Sequence, residues 1–179
     1  YSELVGLPLK ILPGIDDVLD GDSSLSRIRG LELEDLLGRD PVQLALPELA
    51  ESIKDQKVLV TGAAGSIGSE LARQIAIDSP RTLILYDQAE TPLYYLELEL
   101  LDLAPDLQIV PVVASVTDQD AVKHVFEAHR PQKVYHAAAY KHVPLMEHNP
   151  RSAALTNILG TYLVGLAAAR TGAEAFVLV

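Results

Sequence analysis

Residues 58–71 read Val58-Leu59-Val60-Thr61-Gly62-Ala63-Ala64-Gly65-Ser66-Ile67-Gly68-Ser69-Glu70-Leu71, an apolar run that breaks into three glycines and resumes as a helical pattern. No other stretch constrains the chain as tightly. β-Branched residues favour a strand, and glycine alone lets that strand turn at once into a helix while its backbone closes on a pyrophosphate. The helix that follows offers free N–H groups and a positive dipole end to such an anion. Glycines also punctuate ordinary turns, so the string gains its meaning from context: a strand before it, a helix after it and an acid downstream. Gly62, Gly65, Ser66, Ile67 and Gly68 are therefore the first candidates for holding a dinucleotide.

A regular pattern surrounds this turn. Strands are expected at 57–61, 82–86, 108–113, 133–136 and 175–179, with helices at 66–77, 91–101, 119–129 and 150–171. Runs of Val, Ile and Leu alternating with amphipathic helices predict βαβ units around a parallel sheet buried on both faces. The expected class is α/β, a Rossmann-like doubly wound parallel sheet, incomplete at its C-terminus and preceded by an N-terminal linker or strap. Residues 1–50 differ from the rest. They suggest a short strand at 9–12, turns at Pro13-Gly14 and Asp20-Gly21-Asp22-Ser23-Ser24, and an extended piece with a glycine-ended helical turn over 31–38. Asp40-Pro41 marks a boundary, because the residue before proline disfavours helix. Two regions follow: a linker or tail of a preceding domain at 1–50, and the dinucleotide-binding domain at 51–179. The apolar Leu31, Leu33, Leu36 and Leu37 are expected to pack on that domain or on a second subunit, which would make a homo-oligomer.

Composition narrows the function classes. With 179 residues, 49% of them hydrophobic, the chain can bury a sizeable core. Its mean hydropathy of +0.18 and 22% charged residues place it with globular proteins. No apolar run is expected to approach the roughly 20 residues of a membrane span. The start Tyr1-Ser2-Glu3-Leu4 lacks the basic and apolar regions of a secretory signal, and without Met it reads as beginning mid-protein. The absence of Cys excludes disulfides and thiolate metal sites and fits a cytoplasmic setting. A net charge of −11 and a pI near 4.7 argue against nucleic acid as partner. Any nucleotide should be a small bound molecule.

Further candidates stand at the expected strand ends. Asp87 follows the second strand, about 20 residues after the last glycine, where an acid accepts hydrogen bonds from the ribose hydroxyls. A carboxylate there repels a 2′-phosphate, favouring NAD over NADP without excluding NADP. Its alternative is a solvated loop acid. Ser115 and Val116, ending the third strand, could meet an adenine edge and face, or form a plain loop. Ala137, Ala138 and Ala139 are small enough to let a ribose or nicotinamide pass close to the backbone, or simply to let a helix pack. Lys141 could meet a phosphate or a sugar hydroxyl, or be solvated like most lysines. His136, His142 and His148 are evenly spaced, yet His136 ends a strand and His142 precedes Pro144 in a loop, so no metal site is expected. Asn157 is a poor residue for a helix interior, which points to close packing on the sheet or to a polar task near the site.

These residues together resemble the extended short-chain dehydrogenase/reductase superfamily: Thr61-Gly62-Ala63-Ala64-Gly65-Ser66-Ile67-Gly68, Asp87, residues 136–144, and Thr156-Asn157-Ile158-Leu159-Gly160-Thr161. Within it, His136-Ala137-Ala138-Ala139-Tyr140-Lys141-His142-Val143-Pro144-Leu145-Met146-Glu147 is similar to the CapD-type polysaccharide-biosynthesis proteins. Those are nucleotide-sugar 4,6-dehydratases and epimerases acting on UDP-N-acetylhexosamines. Residues 28–42 are similar to the linker before the enzyme domain in long, membrane-anchored members. The resemblance implies that NAD(P)⁺ takes hydride from C4 of the sugar, water leaves across C5 and C6, and hydride returns to C6. It also implies a Tyr-x-x-x-Lys pair, or Met in the tyrosine position, in which the ammonium brings the phenolate base towards neutral pKa. Here the sequence departs: none of its seven tyrosines, nor Met146, has lysine four positions later. The expectation is thus the cofactor-binding portion of a dehydratase or epimerase, with no catalytic residue of its own and inactive alone. The alternative is a non-catalytic NAD-binding regulatory or scaffold module.

Overall fold

The computed structural model describes residues 10–11, 29–30 and 47–179. The chain divides into two compact units, Tyr1–Ala45 and Leu46–Val179. In the first, β1 (Lys10–Ile11) pairs antiparallel with β2 (Arg29–Gly30), Lys10 opposite Gly30. β1 falls within the strand expected at 9–12, whereas β2 had no counterpart in the sequence reading. The expected turns, the 31–38 piece with its leucines and the Asp40-Pro41 boundary lie outside the described residues. The division falls a few residues before the expected boundary at 50/51. Helix α1 (Pro47–Ile53) opens the second unit, and its Ile53 is buried.

The second unit is built on a five-stranded sheet. Its strands are β3 (Lys57–Thr61), β4 (Thr82–Asp87), β5 (Gln108–Val113), β6 (Lys133–His136) and β7 (Ala175–Leu178). They lie in the order β5-β4-β3-β6-β7, every neighbouring pair parallel. The doubly wound α/β expectation holds. Alternation along the central strands loads both faces, as a parallel sheet covered by helices demands. Val58, Val60, Leu83 and Leu85 pack under α2 (Ser66–Ile77) and α3 (Glu90–Leu103), against Ala72, Ile75, Leu93, Leu96 and Leu100. Leu59, Ile84, Tyr86 and Val134 face the other way, meeting Val122 and Phe126 of α4 (Gln119–His129) and Val164 and Ala168 of α7 (Thr161–Thr171). Connections from β3 run outward through β4 to β5, while β6 returns to the other side of β3. The strand order therefore reverses between β3 and β6, at the switch point where ligands bind in such folds.

The helices end for identifiable reasons. Asp118 caps α4 by accepting from Asp120 N (3.1 Å) and Ala121 N (3.0 Å). Arg130 (φ 47°) and Gly172 (φ 78°) stop α4 and α7 in left-handed conformations. Arg73 of α2 clamps Glu99 of α3 through two bonds of 2.6 and 3.0 Å, which lowers the Glu99 pKa and raises that of Arg73.

Several expectations need correction. β4 runs to Asp87 rather than Tyr86, β7 stops at Leu178, and α3 exceeds the expected 91–101 at both ends, the usual imprecision of terminal turns. Where a loop was expected around His142, the chain forms α5 (Val143–Glu147) with His142 as its N-cap residue. Pro144 is tolerated in the first turn because no N–H is needed there. The helix expected at 150–171 is composite: α6 (Pro150–Ala153), a π-helical segment Ala154–Gly160, then α7. At 22 residues, Pro150–Thr171 is also apolar and long enough to cross a membrane by length and composition, contrary to the expectation of no such run. Here it is the crossover joining β6 to β7, with Leu163, Val164 and Ala168 in the core.

Candidate functional site

The glycine turn sits at the carboxyl end of β3. Gly62 has φ +67°, and a Cβ on it would lie 2.7 Å from the Ala137 carbonyl and from Ala138 Cα, so turn and β6 end meet backbone to backbone. A Cβ on Gly68 would overlap the Gly62 carbonyl, because the first turn of α2 folds directly onto the end of the strand. Gly65 N donates to Gly62 O (3.0 Å), and Gly65 itself is the N-cap of α2, with no side-chain cap. The helix N-terminus is therefore left uncovered by any capping side chain. Lys141 reaches it from the β6 side, donating from Nζ to Ser66 Oγ at 3.3 Å.

Asp87 closes β4. Its Oδ2 accepts from Ala64 N and its Oδ1 from Ala89 N, both at 2.9 Å, so the carboxylate ties the glycine turn to the end of the neighbouring strand. The sequence pointed to a ribose-binding or a solvated acid, not to this structural tie. Each oxygen keeps a second lone pair for another donor.

A cleft of about 140 Å³ opens beside this turn, lined by Gly62, Gly65, Asp87, Ser115, Val116, Ala137, Ala138 and Ala139 together with Tyr86, Gln88, Ala114, Tyr140 and Thr156. Of the remaining candidates, Ser66 and Lys141 pair at its edge, Gly68 packs behind it, and Ile67 is 52% exposed on the outer side of the turn. Two roomier clefts contain none of the candidates. One of about 290 Å³ lies between α4 and α7, and one of about 500 Å³ lies among Ile77, Pro80, Leu103 and Leu107. Position at the strands' carboxyl ends, not volume, selects the smaller cleft.

The third-strand candidates are less free than expected. The Ser115 hydroxyl accepts from Thr117 N (3.2 Å) and pairs with the Thr117 hydroxyl (2.9 Å). Val116 is 5% exposed and lies so close to Gly160 that a Cβ there would approach within 2.6 Å of Val116 Cγ2. Tyr86 donates its hydroxyl to Ser115 O (2.9 Å), fixing this loop. Burial, with Asp118 adding, pushes the Tyr86 phenol up to about 12, which makes it a tether rather than a base.

The β6 side of the cleft carries a chain of hydrogen bonds whose proton positions follow from its far end. Thr161 Oγ1 donates to Asn157 O (2.8 Å), since a carbonyl only accepts. It must then accept from His136 Nε2 (2.9 Å), leaving Nδ1 to accept from Thr61 Oγ1 (2.6 Å). His136 is thus the Nε2–H tautomer, 1% exposed and stacked against Phe176, and burial lowers its pKa to about 4. With both ring nitrogens engaged it is not available to a metal, and among the described residues no cluster of three potential ligands occurs. Asn157, in the π-helical segment, grips the main chain of Tyr140 from both sides: Oδ1 accepts from Tyr140 N and Nδ2 donates to Tyr140 O, each at 2.9 Å. The sequence flagged Asn157 through its poor helix propensity but could not name this partner. Tyr140 and Thr156 stood in the sequence only as members of longer motifs with no site role assigned, and Gln88 escaped notice altogether.

Comparisons with known proteins place the chain in a family. The family described as "Polysaccharide biosynthesis protein" matches residues 58–179. The Probable polysaccharide biosynthesis protein EpsC of Bacillus subtilis (strain 168) is 43% identical over 182 residues, covering 100% of this chain and 30% of its own length. The Capsular polysaccharide biosynthesis protein CapD of Staphylococcus aureus is 41% identical over 175 residues, covering 97% of this chain and 29% of its own. The chain thus spans under a third of the length of these relatives. Among solved structures, the Bordetella bronchiseptica enzyme WbmG in complex with NAD and UDP superposes with a TM-score of 0.56 at 26% identity, over 70% of this chain and 37% of that one. Matched by that family over residues 58–179 and 43% identical to EpsC along the whole of this chain, it belongs to the polysaccharide biosynthesis protein family.

Proposed function

We propose that the unit Leu46–Val179 holds NAD in the cleft at the ends of β3, β4 and β6. The observation that carries this reading is the cradle of Gly62 and Gly68, where an added Cβ would strike backbone, set against the uncapped start of α2. Such close, side-chain-free backbone suits a pyrophosphate, which the N–H groups of the first turn would receive while Lys141, already at Ser66, neutralises its charge. Asp87 would take the ribose hydroxyls on its free lone pairs and repel a 2′-phosphate. Ala137, Ala138 and Ala139 would leave room along β6 for the second ribose. The similarity to WbmG, solved with NAD, supports the same assignment.

In the whole protein this unit would serve a nucleotide-sugar 4,6-dehydratase or epimerase of surface polysaccharide biosynthesis, with a UDP-N-acetylhexosamine as the substrate. When bound, the cofactor supplies a hydride acceptor that later returns what it took. The residues of this chain bind and orient it. Lacking a Tyr-x-x-x-Lys or Met-x-x-x-Lys pair, the 179 residues contain no group in the base role that the resemblance implies, and we expect no sugar turnover from them alone. Residues 1–50 would serve as the linker to a preceding domain.

Calorimetric titration tests the cofactor assignment. NAD⁺ should bind at least about tenfold more tightly than NADP⁺, a difference of about 1.4 kcal/mol. Because Asp87 also holds the glycine turn, Asp87→Ala should weaken both, so the decisive quantity is the NAD⁺/NADP⁺ ratio, which should collapse towards unity. An unchanged ratio would remove Asp87 from recognition, and failure of the unaltered chain to bind either dinucleotide would overturn the assignment.

A further inference from the structure

Two residues outside the glycine turn meet across the cleft. Gln88, immediately after β4, donates from Nε2 to the Tyr140 hydroxyl, after β6, at 3.3 Å, and both side chains line the cleft. In the sheet β3 lies between β4 and β6, so this contact bridges over the glycine turn and joins the two lips of the groove. We propose that Gln88 and Tyr140 form a clasp that retains a dinucleotide lying across the ends of the strands. The proposal rests on the reading of this cleft as the NAD site.

Tyr140 is built for such a task. Its main chain is fixed at both N and O by the Asn157 amide, the residue is 40% exposed, and its hydroxyl is held from the opposite lip. A side chain whose backbone is already immobilised gives up little entropy when its tip is tethered, so closure costs little. The tether itself is a single neutral hydrogen bond between exposed groups, weak enough to open and strong enough to slow departure. A dinucleotide bound over the glycine turn could leave only after that bond broke. Retention suits a reaction in which the hydride returns to the substrate, because the cofactor need not leave between half-reactions.

The test is a release measurement. The chain is loaded with NADH and mixed rapidly with excess NAD⁺, and the decay of NADH fluorescence is followed. The chain has no Trp to obscure the signal. Tyr140→Phe deletes only the hydroxyl and leaves the ring and the Asn157 grip in place, and Gln88→Ala deletes the donor at an exposed position. Each should release NADH about three- to tenfold faster, the equivalent of one ordinary hydrogen bond. The double variant should be no faster than the faster single one, because both remove the same contact. Rates unchanged in both single variants, or effects that multiply in the double variant, would overturn the clasp while leaving the NAD site standing. An unaltered chain that fails to bind NADH would overturn the site and the clasp together.

Discussion

The two lips of the cleft are made by different physics. On the β3 side the shape comes from backbone sterics within a dozen consecutive residues: Gly62 at positive φ, Gly65 as an open cap, Gly68 against the Gly62 carbonyl. On the β6 side it comes from side chains far apart in sequence: Thr61, His136, Thr161 and Asn157 joined in a line that ends on the main chain of Tyr140. The first lip is rigid because nothing else fits. The second is rigid because each side chain in it is hydrogen-bonded, and the bonds admit one proton arrangement. The lesson is that a binding groove can have one wall fixed by exclusion and the other by satisfaction, and the two should fail differently.

The largest effect should come from violating exclusion. Gly68→Ala places a methyl group into the Gly62 carbonyl, and the strand, the turn or the helix must move. We expect a loss of more than about 3 kcal/mol in urea unfolding, in the range reserved for disrupted cores and strained backbone. A variant of near-native stability would show that the glycine lip yields after all.

Acid should come next, and it acts on the other lip. His136 has its ordinary pKa of 6.5 when unfolded and about 4 when folded. The unfolded chain therefore takes up a proton first, and the stability owed to this histidine is fully present above pH 6.5 and is lost as pH falls towards 4. That loss should reach about 3 kcal/mol. Carboxylates titrate nearby, so the measure is the difference in pH slope between the chain and His136→Gln. Identical slopes would mean that the buried imidazole does not govern this wall.

Asn157→Ala should produce the smallest change in stability, about 1 to 2 kcal/mol, because its two bonds to Tyr140 lie at the surface. Its value is diagnostic. Amide exchange should accelerate at Tyr140 while Gly65, bonded within its own turn, keeps its protection. Equal acceleration at both would mean that the lips are one cooperative unit and would dissolve the comparison.

The same contrast explains what could be read from the sequence. The strand-glycine-helix string and the apolar runs of β3 and β4 declare themselves, because turn sterics and alternation are local properties. All five strands of the sheet fall within a residue of their expected positions for that reason. His136, by contrast, reads in sequence as one more histidine in a spaced series, and its meaning depends on hydroxyls 75 residues before it and 25 after it. The π-helical segment was only half visible: Asn157 and Gly160 mark it as a poor helix interior, but the contact of Gly160 with Val116 appears only in the fold. The pairing of Gln88 with Tyr140 carried no signal at all, since a surface glutamine and a half-exposed tyrosine become partners only when β4 and β6 flank β3.

Asp87 carries one further consequence, for anyone who would re-engineer this fold. If Asp87 discriminates between dinucleotides as proposed, the same carboxylate also holds Ala64 N and Ala89 N. Preference and framework would then be written in the same carboxylate. A change of cofactor made by deleting the acid would loosen the loop that must receive the new one. Successful redesigns should therefore keep a short acceptor at 87, such as Ser or Asn, and bring the positive charge from elsewhere. The same coupling narrows the substitutions open to natural drift at this position.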